Sequence, residues 1–153
     1  MEKPKQSPSG RARRVPDIQP FTTPPEQCFA CGSKNPHGLH VRFSKTENGA
    51  EATFTPTIHQ EGWPGVIHGG ILVTLLDEAM AYALYFKGIA AVTARLDTRF
   101  RRAVAVGDEL RVSAQIISAK RELLDVEGQI VLADGAAVAG GTGRFMLVSA
   151  FER

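Results

Sequence analysis

The sequence predicts an α+β domain in which an antiparallel sheet of about six strands wraps around one long helix. Apolar residues alternate with a period of two near the start of the chain and through its second half, whereas residues 68–87 place them at intervals of three and four. The last four strands have short connections, which favour antiparallel pairing because a parallel pair needs a crossover of about a dozen residues.

The first two strands are predicted to form a hairpin. Apolar residues alternate on both sides of the turn residues Asn48 and Gly49. The residues expected on the buried face of this hairpin are Leu39, Val41, Phe43, Ala50, Ala52 and Phe54.

The helix is predicted over residues 68–87, with Gly88 ending it. Its apolar stripe is wide and contains several small residues, as expected for a helix enclosed by a sheet. The residues of this stripe are Ile71, Leu72, Leu75, Leu76, Ala79, Met80, Ala83 and Leu84.

Four further strands follow, at 89–101, 108–118, 122–132 and 136–150. The third of them alternates most clearly, so one face is expected to be buried and the other polar. The expected buried residues are Leu124, Val126, Ile130 and Leu132, and the expected polar ones are Asp125, Glu127 and Gln129.

Length and composition limit the class of protein. A chain of 153 residues fits one domain, and 43% hydrophobic with 22% charged residues is typical of a soluble globular protein. The net charge of +2 does not indicate nucleic-acid binding, and no apolar run approaches the roughly 20 residues of a membrane span. We therefore expect a cytoplasmic protein without membrane or nucleic-acid partners.

Residues 1–25 are rich in proline and in basic side chains and carry few large apolar ones. Such a segment cannot bury enough surface to offset its ordering entropy. We expect a flexible basic arm over 1–25 and a single folded domain over 26–153.

The residues that carry chemistry lie at the start of the helix and within it. Gly69 and Gly70 open the helix, where backbone N–H groups have no intrahelical partner and can stabilise an oxyanion. Asp77, eight residues after Gly69, is an acid within an apolar helix. It is either a nucleophile or general base, or else a structural acid that caps a backbone N–H or faces solvent beside Glu78.

The segment 62–70, GWPGVIHGG, followed by an acid nine residues after its histidine, resembles the hotdog-fold acyl-CoA thioesterases of the phenylacetate-degradation type. Two flanking segments are similar to the same family. They are CFACGSKNPHGLHVRF at 28–43 and TARLDTRFRRAVAVGDEL at 93–110. The resemblance covers about residues 28–148.

The resemblance implies hydrolysis of an acyl thioester without a cofactor. In that family the N–H at Gly69 polarises the thioester carbonyl, and the acid at Asp77 attacks it or activates water. Thr93 matches a hydroxyl that orients the water or the acid. Some members carry Asn or Gln where this chain has Gly62. His68 and His59 are therefore the candidates for the second polar contact of the site. His68 is equally compatible with a structural role.

The resemblance also implies homodimers, or homotetramers built as dimers of dimers, with active sites at the subunit seam. Helix geometry points the same way, because Gly69 and Asp77 are ~12 Å apart along one helix and one thioester cannot touch both. Gly70 and Trp63 are candidates for the substrate pocket, with Trp63 alternatively filling the dimer seam. The run Arg95, Arg99, Arg101 and Arg102 is either a solvated face or a site for the phosphates of coenzyme A; the last three are candidate substrate ligands.

The residues leave two alternative functions open. His59 and Glu78 suggest a hydratase or dehydratase of hydroxyacyl thioesters, although their spacing is too long. The alternative that is not an enzyme is a module that binds acyl-CoA without turnover.

Cys28 and Cys31 suggest a zinc site. Only His37 and His40 lie nearby as further ligands and no second ligand pair follows, so we expect no metal site.

Overall fold

The computed structural model describes residues 23–148. Most of the proposed N-terminal arm and the last five residues lie outside this range. The elements are β1 (Ser44–Lys45), β2 (Gly49–Phe54), a 3-10 turn (Ile58–Gln60), β3 (Glu61–Trp63), β4 (Val66–Ile67), α1 (Gly69–Tyr85), β5 (Ala91–Phe100), β6 (Leu110–Lys120), β7 (Leu123–Leu132) and β8 (Ala137–Leu147).

Six strands form one sheet in the order β1-β2-β6-β7-β8-β5, and every pair in it is antiparallel. The helix α1 packs against this sheet, so the predicted α+β class with six strands and one helix is confirmed. β3 and β4 form a separate two-stranded ladder just before the helix. Within the described residues, no helix has the length and apolar character needed to cross a membrane.

Met80 of α1 packs against two glycines of the sheet. A Cβ atom at Gly143 would lie 2.7 Å from the Met80 sulfur, and one at Gly128 would lie 3.0 Å from the Met80 methyl carbon. Met80 would have to move for either strand to carry a side chain at these positions. The two glycines therefore let Met80 of α1 pack directly on the sheet. The buried residues of α1 are Leu72, Leu75, Leu76, Ala79, Met80, Ala83 and Leu84, as the helical spacing predicted.

The alternation in β7 is confirmed. The apolar residues Leu124, Val126 and Ile130 are buried, whereas Glu127 and Gln129 on the other face are exposed. The helix is 17 residues long rather than about twenty, and Gly88 adopts a positive φ of 75° just beyond its end.

The first predicted strand is wrong over most of its length. Only Ser44–Lys45 pair with β2, although Leu39 and Val41 are buried as expected. Their N–H groups donate instead to the carbonyls of Phe29 and Ala30, at 2.8 and 2.9 Å. The segment thus bonds to the loop that carries the two cysteines, and its alternation reflects burial without a sheet ladder.

The strand β5 contains a bulge at Ala94. Thr93 lies opposite Phe145, whereas Arg95 lies opposite Arg144, so Ala94 has no counterpart on β8. An extra residue shifts the alternation of side chains by one position. Thr93 therefore faces the helix although it is an odd number of residues from Leu96, which packs on the core.

Candidate active site

The N-terminus of α1 holds one backbone donor with no acceptor. The ring Nδ1 of His68 accepts the N–H of Gly70 at 2.8 Å, and the His68 carbonyl accepts the N–H of Ile71 at 2.9 Å. Within residues 23–148 the N–H of Gly69 makes no hydrogen bond. Because the helix dipole is positive here, Gly69 is the position where an oxyanion would be held.

Asp77 and Thr93 form the second part of the site. The Thr93 hydroxyl donates to Oδ1 of Asp77 at 2.7 Å, a contact made possible by the bulge at Ala94. Asp77 is half-buried, and burial raises the pKa of its carboxyl above 3.8, while the hydrogen bond from Thr93 opposes that rise. A desolvated carboxylate bonded by a hydroxyl is suited to general-base or nucleophilic chemistry.

These two parts do not meet within one chain. Gly69 and Asp77 belong to the same continuous helix, and eight residues at ~1.5 Å each separate them by ~12 Å along its axis. A reacting carbonyl needs both its donor and its nucleophile within about 3.5 Å. A single copy therefore cannot bring both groups to the same carbonyl.

His68 has a structural position as the N-cap of α1, one of the two roles left open by the sequence. Because its Nδ1 accepts a hydrogen bond, the proton of the neutral ring lies on Nε2. The structure leaves little room for a side chain at Gly62. A Cβ there would lie 2.9 Å from Cα of His68, so the room for a side chain is occupied by His68 itself. His59 is exposed in the 3-10 turn. Gly70 has its N–H bound by the same ring, so it offers space and no free donor.

The arginines of the run lie on different parts of the surface. Arg99 and Arg101 line a groove of about 740 Å³ on the sheet face opposite the helix, together with Glu127 and Gln129. Within one chain they are therefore not brought to Gly69. Arg102 is exposed beyond the end of β5.

Arg95 and Trp63 are also at the surface. Arg95 is exposed and lies 3.6 Å from Asp97 in an ion pair. Trp63, in β3, is 80% exposed and so does not line an enclosed pocket within one copy.

Phe100 was missed by the sequence analysis. Its ring faces the helix N-terminus, since a Cβ built on Gly69 would lie 3.6 Å from its Cζ, and half of its surface is exposed. Only the alternation between Arg99 and Arg101 could have indicated that Phe100 faces the other side of the sheet. Phe100 provides an apolar wall beside the free N–H.

The sequence suggested Glu78 only as the acid of a hydratase, whereas the structure places it beside Cys28 and Cys31. Its Oε1 accepts a hydrogen bond from the Cys28 thiol at 3.5 Å, and the N–H of Cys31 donates to the Cys28 sulfur at the same distance. Burial and then the nearby Glu78 raise the pKa of the Cys31 thiol to about 12. His37 and His40, the ligands considered from sequence, are exposed and lie outside this cluster.

A long helix laid across a six-stranded antiparallel sheet defines the hotdog class, and here the helix carries a free N–H at its start and a carboxylate at its midpoint. The chain belongs to the thioesterase superfamily, whose family model matches residues 64–139.

Individual thioesterases are similar to the chain over part of its length. The chain is 31% identical over 76 residues to mouse acyl-coenzyme A thioesterase THEM5, covering 50% of this chain and 31% of that protein. It is 37% identical over 74 residues to Escherichia coli acyl-coenzyme A thioesterase PaaI, covering 48% of this chain and 53% of PaaI. The chain thus spans about a third of the length of THEM5 and about half of the length of PaaI. The solved structure of E. coli PaaI superposes with a TM-score of 0.67 at 29% identity, covering 71% of this chain and 83% of PaaI.

Proposed function

We propose that this protein is an acyl-CoA thioesterase that hydrolyses an acyl thioester to the free acid and coenzyme A. The observation that carries the proposal is Asp77, a half-buried carboxylate with a raised pKa, bonded to Thr93 and set on the helix that also presents the free N–H of Gly69. The relatives named as acyl-coenzyme A thioesterases support this substrate class.

In the proposed reaction the N–H of Gly69 donates to the thioester carbonyl oxygen, which becomes an oxyanion as the carbonyl carbon turns tetrahedral. Asp77 either removes a proton from the attacking water or attacks the carbonyl carbon itself, forming an anhydride that water then hydrolyses. The carbon–sulfur bond breaks in both routes, and the coenzyme A thiolate takes up a proton. Thr93 orients the carboxylate through its 2.7 Å hydrogen bond.

We further propose that each active site combines Gly69 of one copy with Asp77 of a second copy. The ~12 Å separation of Gly69 and Asp77 along α1 supports this arrangement. A two-fold dimer would pair Gly69 of each copy with Asp77 of the other, and so would form two such sites. Exposed apolar side chains around the start of the helix, namely Ile58, Trp63 and Phe100, offer the surface that a second copy would cover. A dimer of dimers is compatible with the same pairing.

The remaining expectations from the sequence belong to this proposal. We place the activity in the cytoplasm, in a domain over residues 26–153 without nucleic-acid partners. Arg99, Arg101 and Arg102 are proposed to contact the phosphates of coenzyme A. Because Arg99 and Arg101 lie on the outer sheet face, such contacts require the substrate to extend from a site on another copy. Replacing Arg102 with Ala should then raise KM and leave kcat nearly unchanged.

The decisive experiment is thiol release from a panel of acyl-CoAs, from short to long and from aliphatic to aryl, with wild type and Asp77→Asn. The variant should lose on the order of a hundredfold or more in kcat, since it removes a positioned base or nucleophile. Asp97→Asn is the matched control, because Asp97 is exposed on the outer face of β5 and should leave the rate unchanged.

Two results would overturn the proposal. One is an Asp77→Asn variant that turns over thioesters at the wild-type rate. The other is a wild type that binds acyl-CoA without releasing thiol, which would establish the binding module instead. The hydratase alternative receives no support from the geometry, because Glu78 is bonded to Cys28 and His59 is exposed in the turn before β3.

A further inference from the structure

A second cluster of reactive side chains joins the loop that carries the two cysteines to α1, at the residue after Asp77. The sulfurs of Cys28 and Cys31 and a carboxylate oxygen of Glu78 all lie within 4.8 Å of one another. Cys31 is buried, and the other two residues are half-buried. Within residues 23–148 this is the one group of three such side chains close enough to share an ion.

The loop that carries the cysteines is shaped to bring both sulfurs to one point. The N–H of Gly32 donates to the carbonyl of Cys28 at 2.9 Å, which closes a tight turn, and the N–H of Cys31 points at the Cys28 sulfur. A Cβ at Gly32 would lie 2.5 Å from backbone atoms of Cys28, so only glycine can follow the second cysteine here. A backbone donor directed at sulfur favours a thiolate.

The distances fit a tetrahedral zinc ion. A sulfur bound at about 2.3 Å and an oxygen bound at about 2.0 Å lie roughly 3.5 Å apart at a tetrahedral angle. The Cys28 sulfur and Oε1 of Glu78 are already 3.5 Å apart. Two bound sulfurs lie roughly 3.8 Å apart, so the cysteines need to approach each other by no more than about 1 Å.

We propose that Cys28, Cys31 and Glu78 bind a divalent cation of the zinc class, with water in the fourth position. Two thiolates and a carboxylate favour zinc over magnesium or calcium, which prefer oxygen ligands alone. Arg42 donates to the carbonyl of Cys31 at 3.3 Å, and this hydrogen bond does not engage either thiol. The proposal departs from the sequence expectation of no metal, because the third ligand would come from the helix, 50 residues beyond Cys28.

The bound ion would fix the cysteine loop to α1 at the residue next to Asp77. That loop also anchors Leu39 and Val41 through its carbonyls, so the ion would hold a larger segment against the helix. The proposal does not depend on thioester hydrolysis.

The test begins with the full chain purified under a phosphine reductant and without chelator. We expect about one equivalent of zinc per chain by elemental analysis, and a thiolate-to-cobalt charge-transfer band when the apoprotein is titrated with Co²⁺. Glu78→Gln and Cys31→Ser should each bind Zn²⁺ roughly tenfold more weakly or worse. Glu109→Gln is the matched control, because Glu109 is exposed at the start of β6 and should not change the affinity.

Two outcomes would overturn the site. One is a wild-type chain with both thiols reduced that takes up neither Zn²⁺ nor Co²⁺. The other is a Glu78→Gln chain that binds Zn²⁺ as tightly as wild type. Glu78→Gln keeps the shape of the side chain, so the test remains valid if Cys31→Ser fails to fold. Asp77→Asn should bind Zn²⁺ normally, so failure of the metal site and failure of the thioesterase proposal can be told apart.

Discussion

Two inactive variants should restore each other if the active site is shared between copies. The first, Asp77→Asn, lacks the carboxylate. The second, Gly69→Pro, lacks the backbone N–H. The basis is the ~12 Å between these residues along α1, which prevents one copy from supplying both groups to one carbonyl.

The structure indicates that Gly69→Pro will fold. Gly69 is the first residue of α1, where proline is favoured because the N–H it lacks has no helical partner. The preceding residue, His68, has φ −62° and ψ 129°, which is the conformation that a following proline requires. Gly69→Ala is the matched control. It adds a Cβ in ordinary contact with Phe100 at 3.6 Å and keeps the N–H, so it should retain activity.

The expected recovery follows from the symmetry. When the two variants exchange freely at equal concentration, about half of the dimers are mixed, and each mixed dimer has one intact site and one doubly defective site. Thioester hydrolysis should therefore return to about a quarter of wild type. The assay is thiol release before and after exchange, with exchange followed independently by mass spectrometry of isotopically labelled chains. If mixed dimers form and activity stays absent, the shared site is wrong, and one of the two residues must be removed from the mechanism.

Three further predictions concern the surroundings of Asp77 and His68. Thr93→Val removes the hydrogen bond that opposes the raised pKa of Asp77, so the acid limb of the kcat profile should move to higher pH; an unchanged limb would show that Thr93 does not act on Asp77. Asp77→Asn should raise the melting temperature at pH 7. Burial raises the folded-state pKa of Asp77, so its stabilising contribution is present below the unfolded value of 3.8 and is lost as pH rises through the folded value. The difference from wild type should accordingly shrink near pH 3, and a melting temperature that falls at pH 7 would contradict the desolvation argument. Gly62→Ala should destabilise the fold by about 1–3 kcal/mol in chemical denaturation, because its Cβ would lie 2.9 Å from the backbone Cα of His68. Gly70→Ala is the comparison, since its Cβ would lie 2.9 Å from the His68 ring, which can rotate away, and it should cost less.

Much of the fold could be predicted because its signals are local. The three- and four-residue spacing in α1 and the alternation in β7 depend on neighbours in sequence, and both are confirmed. The pairing of β5 with β8 could not be predicted in the same way, because the strand order of a sheet is set by contacts between distant segments. The strand expected around Val41 is wrong there, and only Ser44–Lys45 pair with β2, because burial by a loop gives the same alternation as burial by a sheet.

In the candidate site, too, single residues could be predicted from local sequence, whereas contacts between distant segments could not. Gly69 and Asp77 were identified from their position on one helix, and Thr93 from resemblance to a family. The contact of Thr93 with Asp77 depends on the bulge at Ala94, which leaves no clear mark in the sequence. Glu78 was separated from Cys28 by 50 residues, so no local pattern could join them.

The bulge at Ala94 has a consequence for how this strand can change. It divides β5 into two segments of opposite sequence phase, and this offset lets Thr93 face the helix together with Leu96 and Phe100. Deleting Ala94 would leave Thr93 two residues from Leu96 in a regular strand, so Thr93 would still face the helix. The deletion would instead remove the extra twist that a bulge gives a strand, and it would test whether the 2.7 Å hydrogen bond from Thr93 to Asp77 depends on that twist.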